Sequence, residues 1–178
     1  MGKLLIREIQ PADAEKLIMF SKQVGGETDN LTFGADGFPI TVEQEIARLQ
    51  AMADDPKTIM YSAWREDELI ATGSIHSMPR RMAHRAELGL TVIKEEWNKG
   101  IGSLLLEQII QFAKGIGIEI INLEVRSDNA AAIHLYEKFG FQRIGTSPAY
   151  FKIDNSYYDF EIMYLDLREK PIKSGEVV

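Results

Sequence analysis

The sequence predicts one α/β domain of the α+β type, with helices packed on a mixed, largely antiparallel sheet. Its 178 residues, 45% hydrophobic and 26% charged, have the size and composition of a single globular domain that buries a full core. Short runs rich in Ile, Val and Tyr alternate with segments in which apolar residues recur every three to four positions. In chain order these read β-α-α-β-β-β-α-β-α-β-β, and consecutive strands are joined by short polar turns, the pattern of hairpins. The domain is expected over residues 1–168, with a loose tail over 169–178.

"LLIREI" (4–9) reads as the first strand, and "QPADAEKLIMFSKQV" (10–24) as a helix with Pro11 in its first turn. After a Gly- and Asn-rich connection, "TVEQEIARLQAMA" (41–53) opens with Thr41 and Gln44 in capping-box spacing and repeats Val42, Ile46 and Leu49 on one face. "KTIMYSAWRE", "ELIATGSIHSM" and "AHRAELGLTVI" follow as a three-stranded antiparallel meander. "EEWNKGIGSLLLEQIIQFAK" (95–114) supplies the third helix, with Ile101, Leu104, Leu105, Ile109, Phe112 and Ala113 as its apolar face. "IEIINLEV" (118–125) is a strand, and "NAAAIHLYEKFG" (129–140) a helix closed by Gly140. "FQRIGTSPAYF" and "SYYDFEIMYLDL" complete the sheet across the turn "KIDN".

Composition removes several chemistries. The chain has no cysteine, which excludes disulfides, thiolate metal sites and a cysteine acyl-enzyme, and no His, Asp and Glu spacing suggests a metal. Its formal charge of −7 disfavours a nucleic-acid partner and mildly favours a cationic one. No window has the apolar length of a membrane span, and the N-terminal stretch lacks a leader-like core, so a cytoplasmic protein without membrane partner is expected.

Two glycines, Gly100 and Gly102, stand at the start of the third helix, where glycine needs a reason. One reason is a tight turn. The other is close approach of an anion to the main chain, because the first amides of a helix have no carbonyl partner and carry the positive end of its dipole. The amides concerned belong to Lys99, Gly100, Ile101, Gly102 and Ser103, with the Lys99 ammonium as a mobile charge. "WNKGIGSLL" lacks the nucleoside-triphosphate loop pattern G-x-x-x-x-G-K-[ST], and it lacks the third glycine of a dinucleotide fingerprint. Diphosphate binding after an antiparallel meander is what remains.

At this point the chain resembles the GCN5-related N-acetyltransferase family, over roughly Leu5 to Leu167. Three linked pieces carry the resemblance: "WNKGIGS" for the pyrophosphate loop [Q/R]-x-x-G-x-[G/A], "AELGLTV" for the central strand, and "NAAAIHLYEKFGF" for N-x-x-A-x-x-L-Y-x-x-x-G-F. Trp97 stands where Gln or Arg is usual, which removes one side-chain contact near the phosphates.

The resemblance implies acetyl-CoA as acyl donor, lying where "AELGLTV" splays from "IEIINLEV", with the main chain of Leu90, Thr91 and Val92 binding the pantetheine like another strand. It implies direct attack of an amine on the thioester, with the Val92 amide as oxyanion donor and Tyr136 as acid. Asn129, seven residues before Tyr136 and so on the same helical face, is expected to cap the helix and contact the cofactor. Glu87, three residues before Leu90, is a candidate base acting through water, and His76 is its rival. His84 and His134 read as surface or packing residues.

The long connection "GGETDNLTFGADGFPIT" carries Phe33, assigned to substrate contact or, alternatively, to a hydrophobic loop anchor or a homodimer interface. Tyr150 is a second candidate for the acceptor opening, and Tyr157 and Tyr158 must point to opposite faces of their strand. The function expected is acetyl transfer to a primary amine of a small molecule such as an amino acid, polyamine or aminoglycoside. Acetylation of protein N-termini or lysines, and a non-catalytic acyl-CoA sensor, are the alternatives.

Overall fold

The computed structural model describes residues 2–168, so the expected tail over 169–178 lies outside the described residues. The elements are β1 (Leu4–Glu8), α1 (Ala14–Glu27), α2 (Val42–Ala53), β2 (Thr58–Arg65), β3 (Glu68–Ser77), β4 (Arg85–Val92), α3 (Ile101–Gly115), β5 (Ile120–Arg126), α4 (Ala130–Lys138), β6 (Gln142–Ile153) and β7 (Ser156–Asp166). This is the order expected. The strands form one seven-stranded sheet, β1-β2-β3-β4-β5-β7-β6, antiparallel throughout except for β4 against β5.

Local chemistry sets the element ends. α1 begins later than its periodicity suggests, because Pro11–Asp13 form a 3-10 turn. Asp13 holds that turn by accepting from the Gln10 amide at 2.8 Å and from both arms of Arg7 at 2.7 and 2.8 Å. The Arg7 hydrogen bonds, ahead of burial, hold the Asp13 carboxyl below the usual range. Thr41 and Gln44 close the expected capping box on α2, at 3.2 and 2.9 Å. Gly140, at φ 91°, ends α4 in the left-handed conformation a side chain disfavours. Asp154 and Asn155, at φ 47° and 62°, turn the β6–β7 hairpin, as Asx residues tolerate best.

Strand register separates two faces. Gly73 of β3 lies under α3, where a Cβ would stand 2.8 Å from Ile109 Cδ1 and 3.4 Å from Leu105. The opposite face carries Ser62 and Trp64, and Lys16 of α1 lies over the Trp64 ring. α3 buries Ile101, Leu105, Leu106, Ile109, Ile110 and Ala113. Leu104, expected on that face, is instead exposed: the buried stripe is turned so that Leu106 and Ile110 face the sheet.

Candidate active site

The single parallel pairing places the site. β4 and β5 are in register at Arg85↔Ile120, Ala86↔Ile121 and Glu87↔Asn122, and pairing stops there while β4 runs on to Val92. Along β4 the odd-numbered residues turn their main-chain groups to β3. Ile93 donates to the Ile70 carbonyl at 3.0 Å and Arg85 accepts from Met78 at 2.8 Å. The even-numbered residues therefore turn toward β5, and among the described residues no strand meets them at Leu90 and Val92. The expected third contributor, Thr91, borders the cavity but is different: its main chain belongs to the β3 ladder opposite Thr72.

A cavity of about 460 Å³ continues from this gap between the start of α3 and α4. Its walls include Leu90 and Val92, Gly100 to Ser103, and Asn129 and Tyr136. Leu104 is the first amide of α3 to bond back, to the Gly100 carbonyl at 3.2 Å, so the amides of Ile101, Gly102 and Ser103 have no main-chain acceptor.

The two glycines serve different ends. Gly100 is the N-cap at φ 82°, a left-handed position, with open space where a Cβ would stand. Gly102 has ordinary helical geometry, but a Cβ there would meet Leu135 at 3.2 Å and Leu90 at 3.6 Å across the cleft. Free amides, a helix start and a cleft kept clear by missing side chains fit a phosphate-bearing ligand. The open strand edge fits an extended amide-containing arm.

Lys99 is not the mobile charge expected, because its ammonium lies 3.3 Å from Glu96. Glu96 is buried, and Arg65 bonds it at 3.1 and 2.8 Å; these hydrogen bonds, ahead of burial, hold its carboxyl low. Asn129 caps α4 by accepting from the Ala132 amide at 3.2 Å. Asp128 takes no part in the cap, since its carboxylate accepts from Nε and Nη2 of Arg126, at 2.8 and 2.5 Å. His134, read as a surface or packing residue, is exposed and also borders the cavity. Tyr136 is buried against Phe141, with ring centroids 5.6 Å apart, and burial pushes its phenol up to about 12. At neutral pH its hydroxyl is a donor facing the cavity.

The other face of the sheet holds the acidic candidates. Register puts Glu87, Asn122 and Glu124 on the face away from α3. Glu87 is exposed, and its carboxylate lies 3.1 Å from His76 Nε2, so the two rival bases form a pair. Sequence reasoning missed Glu124. Its signal was a charge in the otherwise uncharged run "IINLEV". Extending the parallel register beyond Asn122 sets Glu124 level with Gly89, where a Cβ would meet Ser74 Oγ at 3.1 Å.

Tyr150 reaches this face by a bulge. Pro148, Ala149 and Tyr150 of β6 oppose the single residue Asp159 of β7, and Asp159 accepts from the Ala149 amide at 2.8 Å while Ala149 sits at φ 52°. The Tyr150 ring packs 4.6 Å from Phe160, and burial, then the Glu124 and Glu87 charges, push its phenol up.

The connection after α1 also reaches the site. Thr28, Asn30 and Leu31 line the cavity, and Arg126 donates to the Asp29 carbonyl at 3.2 Å. Phe33 does not line it. Its ring lies tilted at 47° against Phe38, centroids 4.3 Å apart, and borders Gly25 of α1, the loop-anchor alternative. Tyr158 lies under Arg126 on the acidic face, while Tyr157 is exposed.

The sequence model of the acetyltransferase (GNAT) family matches residues 28–141. The crystal structure of an acetyltransferase of the GNAT family from Streptococcus pneumoniae is similar with a TM-score of 0.89 and 33% identity, over 93% of this chain and 100% of the other. An uncharacterized N-acetyltransferase of Bacillus subtilis (strain 168), YoaA, is 28% identical over 169 residues, 90% of this chain and 91% of YoaA. The L-amino acid N-acetyltransferase AaaT of Escherichia coli (strain K12) is 30% identical over 113 residues, 62% of this chain and 69% of AaaT.

Proposed function

This chain belongs to the acetyltransferase (GNAT) family, and on that premise we propose that it moves the acetyl group of acetyl-CoA directly to a primary amine of a small, cationic acceptor. The carrying observation is the gap beyond Glu87. On one face it opens to the phosphate loop and Tyr136, and on the other to Glu87, Glu124 and Tyr150. Donor and acceptor thus approach from opposite faces and meet where the sheet is parted.

Acetyl-CoA supplies the activated acyl group. The amides of Ile101, Gly102 and Ser103 bind its phosphates, and the main chain of Leu90 and Val92 aligns the pantetheine arm. The Val92 amide, fixed in the strand and aimed into the gap, donates to the acyl oxygen as it gains charge. Glu124, nearest the gap, takes the proton of the incoming ammonium through water, with the Glu87–His76 pair behind it. Tyr136, protonated at the start, donates its proton to the sulfur as the carbon–sulfur bond breaks and regains one from the nitrogen, which sheds its second proton as the amide forms. Two carboxylates at the acceptor side favour a cationic amine, and AaaT offers a relative that acts on small molecules.

A thiol-release assay tests this reading with spermidine, L-methionine, a lysine-containing peptide and an N-terminally free peptide. Faster release with a small amine than with either peptide is expected. Release with peptides alone transfers the reading to a protein acceptor, and acetyl-CoA binding without release on any amine reduces the protein to a sensor.

A further inference from the structure

We propose that Trp97 is a positioning residue that couples the phosphate loop to the strand aligning the acyl group, through the hydrogen bond from its indole to the Val92 carbonyl. The proposal rests on the acetyl-CoA site described above.

Trp97 stands between the 3-10 turn Lys94–Glu96 and the start of α3, and its Nε1–H donates to the Val92 carbonyl at 2.8 Å. That carbonyl belongs to the edge of β4 that turns toward the gap, where β5 offers no donor. Packing does not account for the side chain's position, since Trp97 is 39% exposed at the cavity rim. The loop it belongs to needs bracing, because Asn98 and Gly100 both stand at positive φ, 61° and 82°.

Other contacts tie this loop elsewhere. Glu96 joins it to Arg65 at the end of β2, and the Lys94 amide donates to Glu27 of α1 at 2.7 Å. The Trp97 bond joins the loop to the residue whose amide faces the acyl group. It therefore fixes the spacing between the free amides of Ile101 to Ser103 at one end of the ligand and the main chain of Leu90 and Val92, which aligns the pantetheine arm, at the other. A ligand that spans both ends gains from that spacing; one that touches only the loop does not. The indole N–H is directed to the Val92 carbonyl at the position where the family pattern has Gln or Arg.

Isothermal titration of coenzyme A and of ADP into wild type, Trp97→Phe and Trp97→Gln tests this. Phe keeps a ring and removes the donor, and Gln restores a donor. Trp97→Phe is expected to raise the Kd for coenzyme A about tenfold, the worth of one hydrogen bond. The Kd for ADP, which meets only the loop, should change less than about twofold, and Trp97→Gln should return coenzyme A binding to within about threefold of wild type. An unchanged coenzyme A Kd in Trp97→Phe overturns the proposal. So does an equal loss for both ligands, which marks a collapsed loop, and so does failure of Gln to restore binding while the ligand-free Tm is kept. Wild type that binds neither ligand overturns the cofactor site beneath it, a result distinct from all of these.

Discussion

Tyr136 shows how one side chain carries both packing and chemistry. Its ring fills the core between Ile133 and Phe141, while its hydroxyl borders the cavity. Tyr136→Phe keeps the ring, so acetyl-CoA affinity and neutral-pH stability should hold while turnover falls on the order of 10²-fold; unchanged turnover at saturation, with chemistry limiting, would leave Tyr136 a packing residue only. Burial also makes it a reporter. Its folded pKa of about 12 stands above the usual 10.0, so its stabilising contribution is complete below pH 10 and is lost as pH rises through 12, in all about 3 kcal/mol. Denaturant unfolding of wild type and Tyr136→Phe should show the wild type losing its relative stability across that window, and parallel curves would contradict the burial. On the acceptor side the carboxylates are separable by pH. A base is needed chiefly while the amine is ammonium, so the kcat/KM deficit of Glu124→Gln should shrink as pH climbs toward the amine's pKa. Glu87→Gln should show a smaller deficit of the same form. A deficit of Glu124→Gln that is constant with pH assigns it to holding charge instead.

At the scale of elements, the start of α3 and the bulge of β6 are where regular geometry yields to the site. Gly102→Val places methyl groups against Leu135 and Leu90 and closes the cleft without disturbing φ, so acetyl-CoA binding should be lost by calorimetry while the circular dichroism spectrum is kept. Gly115→Ala, at the far end of the same helix with open space around it, is the control: it should bind normally and gain about 0.5 kcal/mol. Normal binding by Gly102→Val would remove the cleft between α3 and α4 from the cofactor path. The β6 bulge holds a non-glycine residue, Ala149, at positive φ by a hydrogen bond to Asp159, and the strain serves to carry Tyr150 over Glu124.

For the whole molecule, the gap lies where two core clusters adjoin. One is built on α3, α4, β5 and β7, the other on α1, β2 and β3, and Leu90 packs against both. A ligand seated there touches strand, loop and helix at once and binds the folded chain alone. Acetyl-CoA at 100 times its Kd should add about 2.7 kcal/mol of stability and raise Tm in a concentration-dependent way. Hydrogen exchange should slow at residues 90, 92 and 101–103, the amides assigned to the ligand; a Tm rise with protection confined to other segments would move the site.

The order of elements, the capping box at Thr41, the glycine ending α4 and the family itself were legible in the sequence, because each depends on residues close together in the chain. Periodicity, cap chemistry and motif spacing are short-range signals. The face that α3 buries was legible only in part, since an apolar helix offers more hydrophobic residues than one stripe can hold and the sheet chooses among them. What joins Glu124 to Tyr150, Glu87 to His76, Lys99 to Glu96 and Trp97 to Val92 was decided by tertiary structure. Strand register and a bulge set which side chains share a face, and an exposed carboxylate carries no periodicity of its own. Thr91 is the plainest case: its place in the motif suggested a main chain open to the cofactor, but hydrogen-bond parity along β4 turns that main chain to β3 and leaves the gap to Leu90 and Val92.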